Sequence, residues 1–443
     1  MKPRTLCACL AIAIAALLVT ARGSAQVAPA PDYKAVAIDA AKWIRSARVG
    51  TPFGVAWPSD PRNPRSISTS LYSGSPGVVL FLLELYQTTG DAAYLQDARR
   101  GADDLLTKIG SEPQSGLYDG VAGIGFTLGE TWRATKDDKY RRAALAAVGA
   151  LERRAEPVGK GVQWSNKTDI ISGAAGIGLF LLYADQTLHA PAAQALAVRA
   201  GDRLIDLGEP SNGGARWTMD PSFPRVMPNF SHGTAGIAYF LATLFKATKE
   251  PRFLDAAYAG ARYLRAIAKT DGDVCLVFHD QPDNPGLFYL GWCHGPAGTA
   301  RLFYQLYTIT RDATWMTWLK MSANGILTSG IPQQRTPGFW NNVGQCCGNA
   351  GVAQFFLDLS SVTNDRRYRD FAERMTADLL ARATRDGAGT RWVQAENRVE
   401  PNVLVAQTGY MQGAAGIGTW LLRLDAAQHQ RAAFVHFPDS PWP

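Results

Sequence analysis

Leu290-Gly-Trp-Cys-His-Gly-Pro-Ala-Gly-Thr299 and its echo one repeat later, Gly344-Gln-Cys-Cys-Gly-Asn-Ala-Gly351, decide how this chain reads. Each sets cysteine just ahead of a Gly-x-x-Gly that opens an apolar, helix-length run. The same signature occurs seven times, with its first glycine at 74, 120, 173, 233, 295, 348 and 413. Gaps of 46 to 65 residues leave room for two helices and their loops per repeat. Self-similarity on that scale marks a repeat architecture rather than a string of unrelated elements.

The runs after the glycines, such as 78–86, 177–183, 237–245 and 352–359, carry almost no charge. A helix apolar nearly all round is buried on most sides. Each run ends at a turn such as Thr89-Gly-Asp91, Thr135-Lys-Asp137, Thr248-Lys-Glu250, Thr310-Arg-Asp312 or Thr363-Asn-Asp365. A Thr or Asp placed there satisfies the orphan amides of a following helix. The segments beyond, 94–106 and 140–151 among them, are amphipathic, as outer helices facing solvent should be. Segment 33–48 supplies an outer helix ahead of the first inner one. The expectation is an all-α protein of seven inner and seven outer helices. An open solenoid caps its ends with polar repeats, whereas the last inner run, Ile417-Gly-Thr-Trp-Leu-Leu422, is as apolar as the middle ones. A closed α/α toroid, a double barrel, fits better. Strand-like pieces at 162–164, 215–218, 274–278 and 391–394 are expected around its mouth, and 51–70 reads as an extended connection inside one domain.

Hydrophobic content of 47% with 43 Gly and 25 Pro in 443 residues suits a globular chain with a large core. Met1-Lys-Pro-Arg4 is basic, 6–21 is apolar, and Gly23-Ser-Ala25 offers small residues, which together read as a signal peptide over residues 1–25. A membrane-spanning helix needs about 18–20 apolar residues, more than this run holds. The expectation is an exported protein, periplasmic or extracellular, without stable membrane insertion, whose single domain covers 26–443. Loss of Lys2, Arg4 and Arg22 takes the formal net charge from +7 to +4, with no basic block that asks for nucleic acid. Of six cysteines, Cys275, Cys293, Cys346 and Cys347 remain. An exported protein could pair them as disulfides; the adjacent Cys346-Cys347 closes only a strained ring, which puts metal binding or reactive thiols ahead of that reading.

In a closed ring the seven signature loops meet at one end. The residues immediately ahead of each first glycine are Ser73, Asp119, Ser172, His232, His294, Cys347 and Gln412, with Cys293 and Cys346 one position earlier. The glycine pair has a structural purpose in every repeat, a tight turn and close helix packing. That purpose does not explain why cysteine and histidine gather in repeats four to six. Thiolates beside imidazole are the ligand set that zinc selects. His189, His279, His429 and His436 have no motif around them and are expected at the surface, with Cys275 a small buried residue.

On these motifs the whole mature chain resembles the lanthionine synthetase C-like family. Trp292-Cys293-His294-Gly295 matches its Trp-Cys-x-Gly, and Cys346-Cys347-Gly348 matches its Cys-His-Gly with cysteine in the histidine place. The resemblance implies the α/α toroid and a Zn2+ ion held by Cys293, Cys346 and Cys347 with a fourth position open, a three-cysteine set that still fits zinc. Ser231-His232-Gly233 resembles the family's Ser-His-Gly, which implies His232 as acid/base, and Asp169 stands where the family has its active-site aspartate. His294 takes a place the family fills with a non-ligand, beside the metal ligands. One departure is Tyr289, where the family carries an arginine four residues before the first zinc cysteine. The implied activity is zinc-dependent addition of a cysteine or small thiol to a dehydroamino acid, giving lanthionine-type thioethers in a peptide, by a monomer. Two other readings stay open. One is a glycan-processing toroid using Asp119 and Asp169 as paired carboxylates. The other is a zinc-stabilised, non-catalytic peptide-binding scaffold, which Tyr289 makes reasonable.

Overall fold

The computed structural model describes residues 31–223 and 225–443; the signal peptide expected over 1–25 lies outside the described residues. Tyr33–Pro443 form one compact unit. The outer helices are α1 (Tyr33–Ser46), α3 (Ala92–Leu106), α5 (Asp138–Arg154), α7 (Pro191–Asp206), α9 (Pro251–Ile267), α11 (Ala313–Leu327) and α13 (Arg366–Ala381). The inner ones are α2 (Ser75–Thr89), α4 (Val121–Thr135), α6 (Ala174–Leu188), α8 (Thr234–Thr248), α10 (Pro296–Thr310), α12 (Asn349–Thr363) and α14 (Ala414–Gln428). Each inner helix packs on its inner neighbours and on the outer helix that follows it. The last inner helix, α14, packs on α2, and the outer helix that backs it is α1, the first of the chain. The expected double barrel therefore closes by joining the two ends of its helical series.

Local chemistry explains the alternation. Asp91, Asp137, Asp312 and Asp365 cap α3, α5, α11 and α13, each accepting from the backbone amide two residues on. The threonine two residues earlier ends the inner helix: Thr89 Oγ1 donates to the Leu85 carbonyl at 2.8 Å and accepts from the Asp91 amide at 3.2 Å. The second glycine of each signature is explained by close approach. A Cβ at Gly298 would collide with the Trp292 carbonyl, and at Gly351 with the Gln345 carbonyl, each six residues upstream. Only glycine lets the loop fold back over the first helical turn.

Two-stranded hairpins follow four outer helices: β1 (Val49–Thr51) with β2 (Gly54–Ala56), β3 (Glu156–Val158) with β4 (Gly161–Gln163), β5 (Glu209–Ser211) with β6 (Gly214–Arg216), and β7 (Lys269–Asp271) with β8 (Val274–Leu276). After α13 come β9 (Ala383–Asp386), β10 (Gly389–Ala395) and β11 (Leu404–Ala406), an antiparallel sheet in the order β11-β10-β9.

At the end of the ring where the inner helices begin, the signature loops are stitched together by backbone hydrogen bonds. Tyr72 N donates to Tyr118 O, Tyr118 N to Ile171 O, Ile170 N to Ser231 O, Ser231 N to Cys293 O, Cys293 N to Cys346 O, Cys346 N to Met411 O, and Met411 N back to Tyr72 O, all within 2.8–3.2 Å. The circuit runs through the position two residues ahead of the first glycine in six repeats, and in the third through Ile171 O and the neighbouring Ile170 N. It sets Cys293 directly beside Cys346.

The far end of the ring is filled by residues 431–443. Glu84 accepts from the amides of Phe434 and Val435, and Trp442 stacks on Tyr304 with centroids 4.3 Å apart. Asp439, 1% exposed, reaches up the axis to accept from Tyr118 Oη and Trp292 Nε1, both at 3.2 Å, and pairs with Arg301 at 3.3 Å. A cavity of about 650 Å³ remains at this end, lined by the last turns of α6, α8 and α10 and by residues 436–443. Among the described residues no helix is long and apolar enough to cross a membrane.

Candidate metal centre and active site

The sulfurs of Cys293, Cys346 and Cys347 lie within 4.8 Å of one another, Cys293 Sγ 2.9 Å from Cys347 Sγ and Cys347 Sγ 3.3 Å from Cys346 Sγ. All three residues are buried, and none of the four described cysteines is in a disulfide. Cys275 stands apart on β8 against α11, and burial pushes its thiol up to about 11. Taken as bare thiols, the three behave unequally. Burial opposes ionisation of Cys346, but hydrogen bonds from Cys293, Cys347 and Tyr72, with the pull of His232, hold it well below the usual thiol range. Burial and the neighbouring sulfurs push Cys293 and Cys347 well above that range. Crowded thiols that can share only one negative charge are poorly served by each other and well served by a soft dication. The donor set fits Zn2+, with Tyr72 as an outer hydrogen-bond donor to one ligand. Burial, and then the charge of the thiols, hold Tyr72 far above its ordinary range, so it stays a donor; Gln412 Nε2 donates to its hydroxyl oxygen at 2.9 Å.

A second cavity, about 500 Å³, takes in His232, His294, Asp119 and Tyr72 beside the cysteines. His232 Nδ1 lies 2.5 Å from Asp169 Oδ2. A carboxylate only accepts, so Nδ1 carries the hydrogen and Nε2 is left for proton exchange. Asp169 is 1% exposed and also accepts from the Ser172 amide at 2.9 Å. The pairing of His232 with Asp169, suggested by the motifs, is thus a direct contact between neighbouring repeats. Asp119 accepts from Ser172 Oγ at 2.5 Å, and burial raises its carboxyl above the usual range. His294 is buried; burial first, then the charges of His232 and His279, keep it well below its ordinary value. It packs edge-on to His279, with centroids 4.4 Å apart, and the thiol cluster of Cys293, Cys346 and Cys347 does not include it.

His279 corrects an expectation. It is not a surface residue. The chain after β8 folds over the mouth, stacking His279 on Tyr289 with centroids 4.0 Å apart, and both line the cavity. Burial lowers its pKa to about 4. His189, His429 and His436 are exposed as expected. Sequence reasoning also missed Tyr72, Arg398 and Asp439. Tyr72 had a signal, for it occupies in the first repeat the place of Cys293 and Cys346. Arg398 had none: it lies between β10 and β11, far along the chain, and its Nε donates to Tyr289 Oη at 3.2 Å. The tyrosine that replaces the expected arginine therefore holds another arginine at the cavity.

Closed α/α toroids whose helix-start loops gather cysteine and histidine at one mouth form a recognisable class, and this chain has that fold and that mouth. It matches the family described as lanthionine synthetase C-like protein over residues 65–439, and it belongs to that family. At the level of the family the role is of the thioether-forming cyclase type. Among solved structures it is similar to nisin cyclase, with 16% identity, a TM-score of 0.64 and coverage of 92% of this chain and 96% of that one. It is also similar to a glycoside hydrolase family 76 mannosidase from Bacteroides thetaiotaomicron VPI-5482, with 12% identity, a TM-score of 0.53 and coverage of 90% and 100%. At these identities the likenesses concern the fold. No curated protein sequence matches the chain.

Proposed function

We propose that this protein is an exported, zinc-dependent enzyme that adds a cysteine or small thiol to a dehydroamino acid in a peptide, forming a thioether. The observation that carries the reading is the meeting, in one cavity, of three buried thiols and His232, which Asp169 holds from behind. Zinc held by Cys293, Cys346 and Cys347 would supply Lewis acidity that lets an incoming thiol lose its proton near neutral pH. His232, with Nδ1–H fixed on Asp169, holds a transferable proton at Nε2 for the carbanion that forms beside the carbonyl. Asp169 keeps that tautomer and balances the charge of the protonated ring. The buried faces of Trp292, Tyr289 and Trp340 keep bulk water from the addition. The step balances: the S–Cβ bond forms, the C=C pair shifts toward the carbonyl, and the thiol proton is returned at Cα.

The glycan-directed reading needs two carboxylates turned to a sugar. Here Asp169 is taken up by His232 and the Ser172 amide, which leaves Asp119 without a second carboxylate to work with and favours the thioether reading. Elemental analysis of the purified protein beside a Cys346→Ala Cys347→Ala variant, with mass spectrometry of a dehydroalanine–cysteine peptide, tests it. About one zinc per chain and ring closure, both lost in the variant, are expected. Ring closure that survives the variant refutes the reading.

A further inference from the structure

Six large hydrophobic residues are exposed among the described residues, and four of them, Val393, Val399, Val403 and Leu404, sit on the single hairpin formed by β10 and β11. In its register Val393 pairs with Ala406 and Ala395 with Leu404, so Val393 and Leu404 share a face. Val399, 77% exposed, and Val403, 58% exposed, lie on the tip that joins the two strands. The root of the hairpin is anchored in the candidate site. Gln394 Oε1 accepts from the amides of Val343 and Gly344 at 2.6 and 3.0 Å, just ahead of Cys346 and Cys347.

The tip carries Arg398 to the cavity that holds the three cysteines, where Tyr289 Oη accepts from its Nε at 3.2 Å. No carboxylate pairs with this guanidinium among the described residues, and nearby Glu396 accepts from Gln407 Nε2 at 3.2 Å. One short element thus offers four exposed aliphatic side chains and, where Glu396, Asn397 and Arg398 line the cavity, a cation at its edge. Apolar surface gathered in this way marks a place that something covers.

We propose that the β10–β11 hairpin docks the peptide substrate itself. The peptide carries aliphatic residues beside its reacting residue, to cover Val393, Val399, Val403 and Leu404, and a carboxylate that meets Arg398. The identity of the occupant rests on the proposed function, whereas the docking surface stands on the hairpin's own exposure and charge and on the part of the cavity that its Glu396, Asn397 and Arg398 line.

The test measures binding apart from chemistry, by fluorescence anisotropy with fluorescein-labelled peptides that hold alanine in place of dehydroalanine. One peptide has Leu-Val-Glu flanks, a second Leu-Val-Gln and a third Ser-Gly-Gln. The metal-loaded full chain is expected to bind the first about tenfold or more tightly than the third. A Val399→Ser Val403→Ser Leu404→Ser variant removes the preference for aliphatic flanks, and Arg398→Gln removes the preference for Glu over Gln. All four side chains are exposed or half-buried, so thermal midpoints and zinc content should match the parent. Preferences unchanged in both variants overturn the proposal. So does a dimer, seen by light scattering, that the triple variant dissociates while peptide binding is untouched, because the occupant is then a second copy. Peptides that bind with the expected preferences, while their dehydroalanine forms are never converted, leave the docking surface standing and refute the thioether reading.

Discussion

Asp439→Ala is expected to loosen the mouth of the ring from below. The carboxylate is 1% exposed and accepts from Tyr118 Oη, Trp292 Nε1 and Arg301 Nη1 at 3.2–3.3 Å. Removing it leaves Arg301, whose side chain is 11% exposed, with the residue 439 carbonyl at 2.9 Å but without its carboxylate, and breaking a buried ion pair costs about 3–5 kcal/mol. The unit from Tyr33 to Pro443 has an unfolding entropy of roughly 0.9 kcal/mol/K by per-residue scaling, so a loss of ~4 kcal/mol lowers the melting temperature by about 5 °C. Differential scanning calorimetry reads that shift. Arg301→Met in the same chain removes that cation, and the double variant should recover roughly half of the loss. Because Trp292 precedes Cys293 and loses its acceptor, chelator competition should show zinc held about tenfold less tightly. Asp439→Asn keeps an acceptor for the indole and should fall between the two. A melting temperature for Asp439→Ala within about 1 °C of the parent would refute a role for this carboxylate in tying residues 431–443 to the site.

Cys346→Ala alone should reduce bound zinc from about one per chain to a small fraction, because two thiolates leave the ion half-ligated; elemental analysis reads this directly. Asp169→Asn should leave zinc in place while slowing thioether formation by about two orders of magnitude or more, since His232 loses its fixed tautomer; steady-state kinetics beside metal analysis separates the two effects. His279 has its pKa lowered from 6.5 to about 4 by burial. The unfolded chain therefore binds more protons between these values, and stability is full above pH 6.5 and falls as pH drops toward 4. His279 accounts for up to about 3 kcal/mol of that loss, and urea titrations of the parent and His279→Gln at pH 7 and pH 5 should show a shallower pH dependence in the variant.

Much of this protein is legible in one dimension because the repeat writes the same solution seven times. The Gly-x-x-Gly pair reports a loop folded over its own helix start, which a Cβ would block at Gly298 or Gly351. Uncharged runs report inner helices, and Thr-x-Asp reports the turn to the outer one. Repetition also made the chemical exceptions visible: cysteine and histidine in repeats four to six stand out against Ser73 and Gln412 at the equivalent place. His279 was misjudged for the converse reason. It lies outside the repeat, in a loop whose path is set by what it packs on.

The sequence by itself determined the fourteen helices, the glycine turns and which loops carry thiols, because these depend on local backbone sterics, capping and hydrophobic period. Tertiary structure alone decided which helices join to close the ring, α14 on α2 with α1 behind, and that Asp439 meets Trp292. It also brought Arg398 to Tyr289 across more than a hundred positions of chain. Those contacts join residues distant in sequence, and no local pattern records them. They exist because closing the circuit of loop hydrogen bonds draws seven separate loops, and the segments packed above and below them, around one axis.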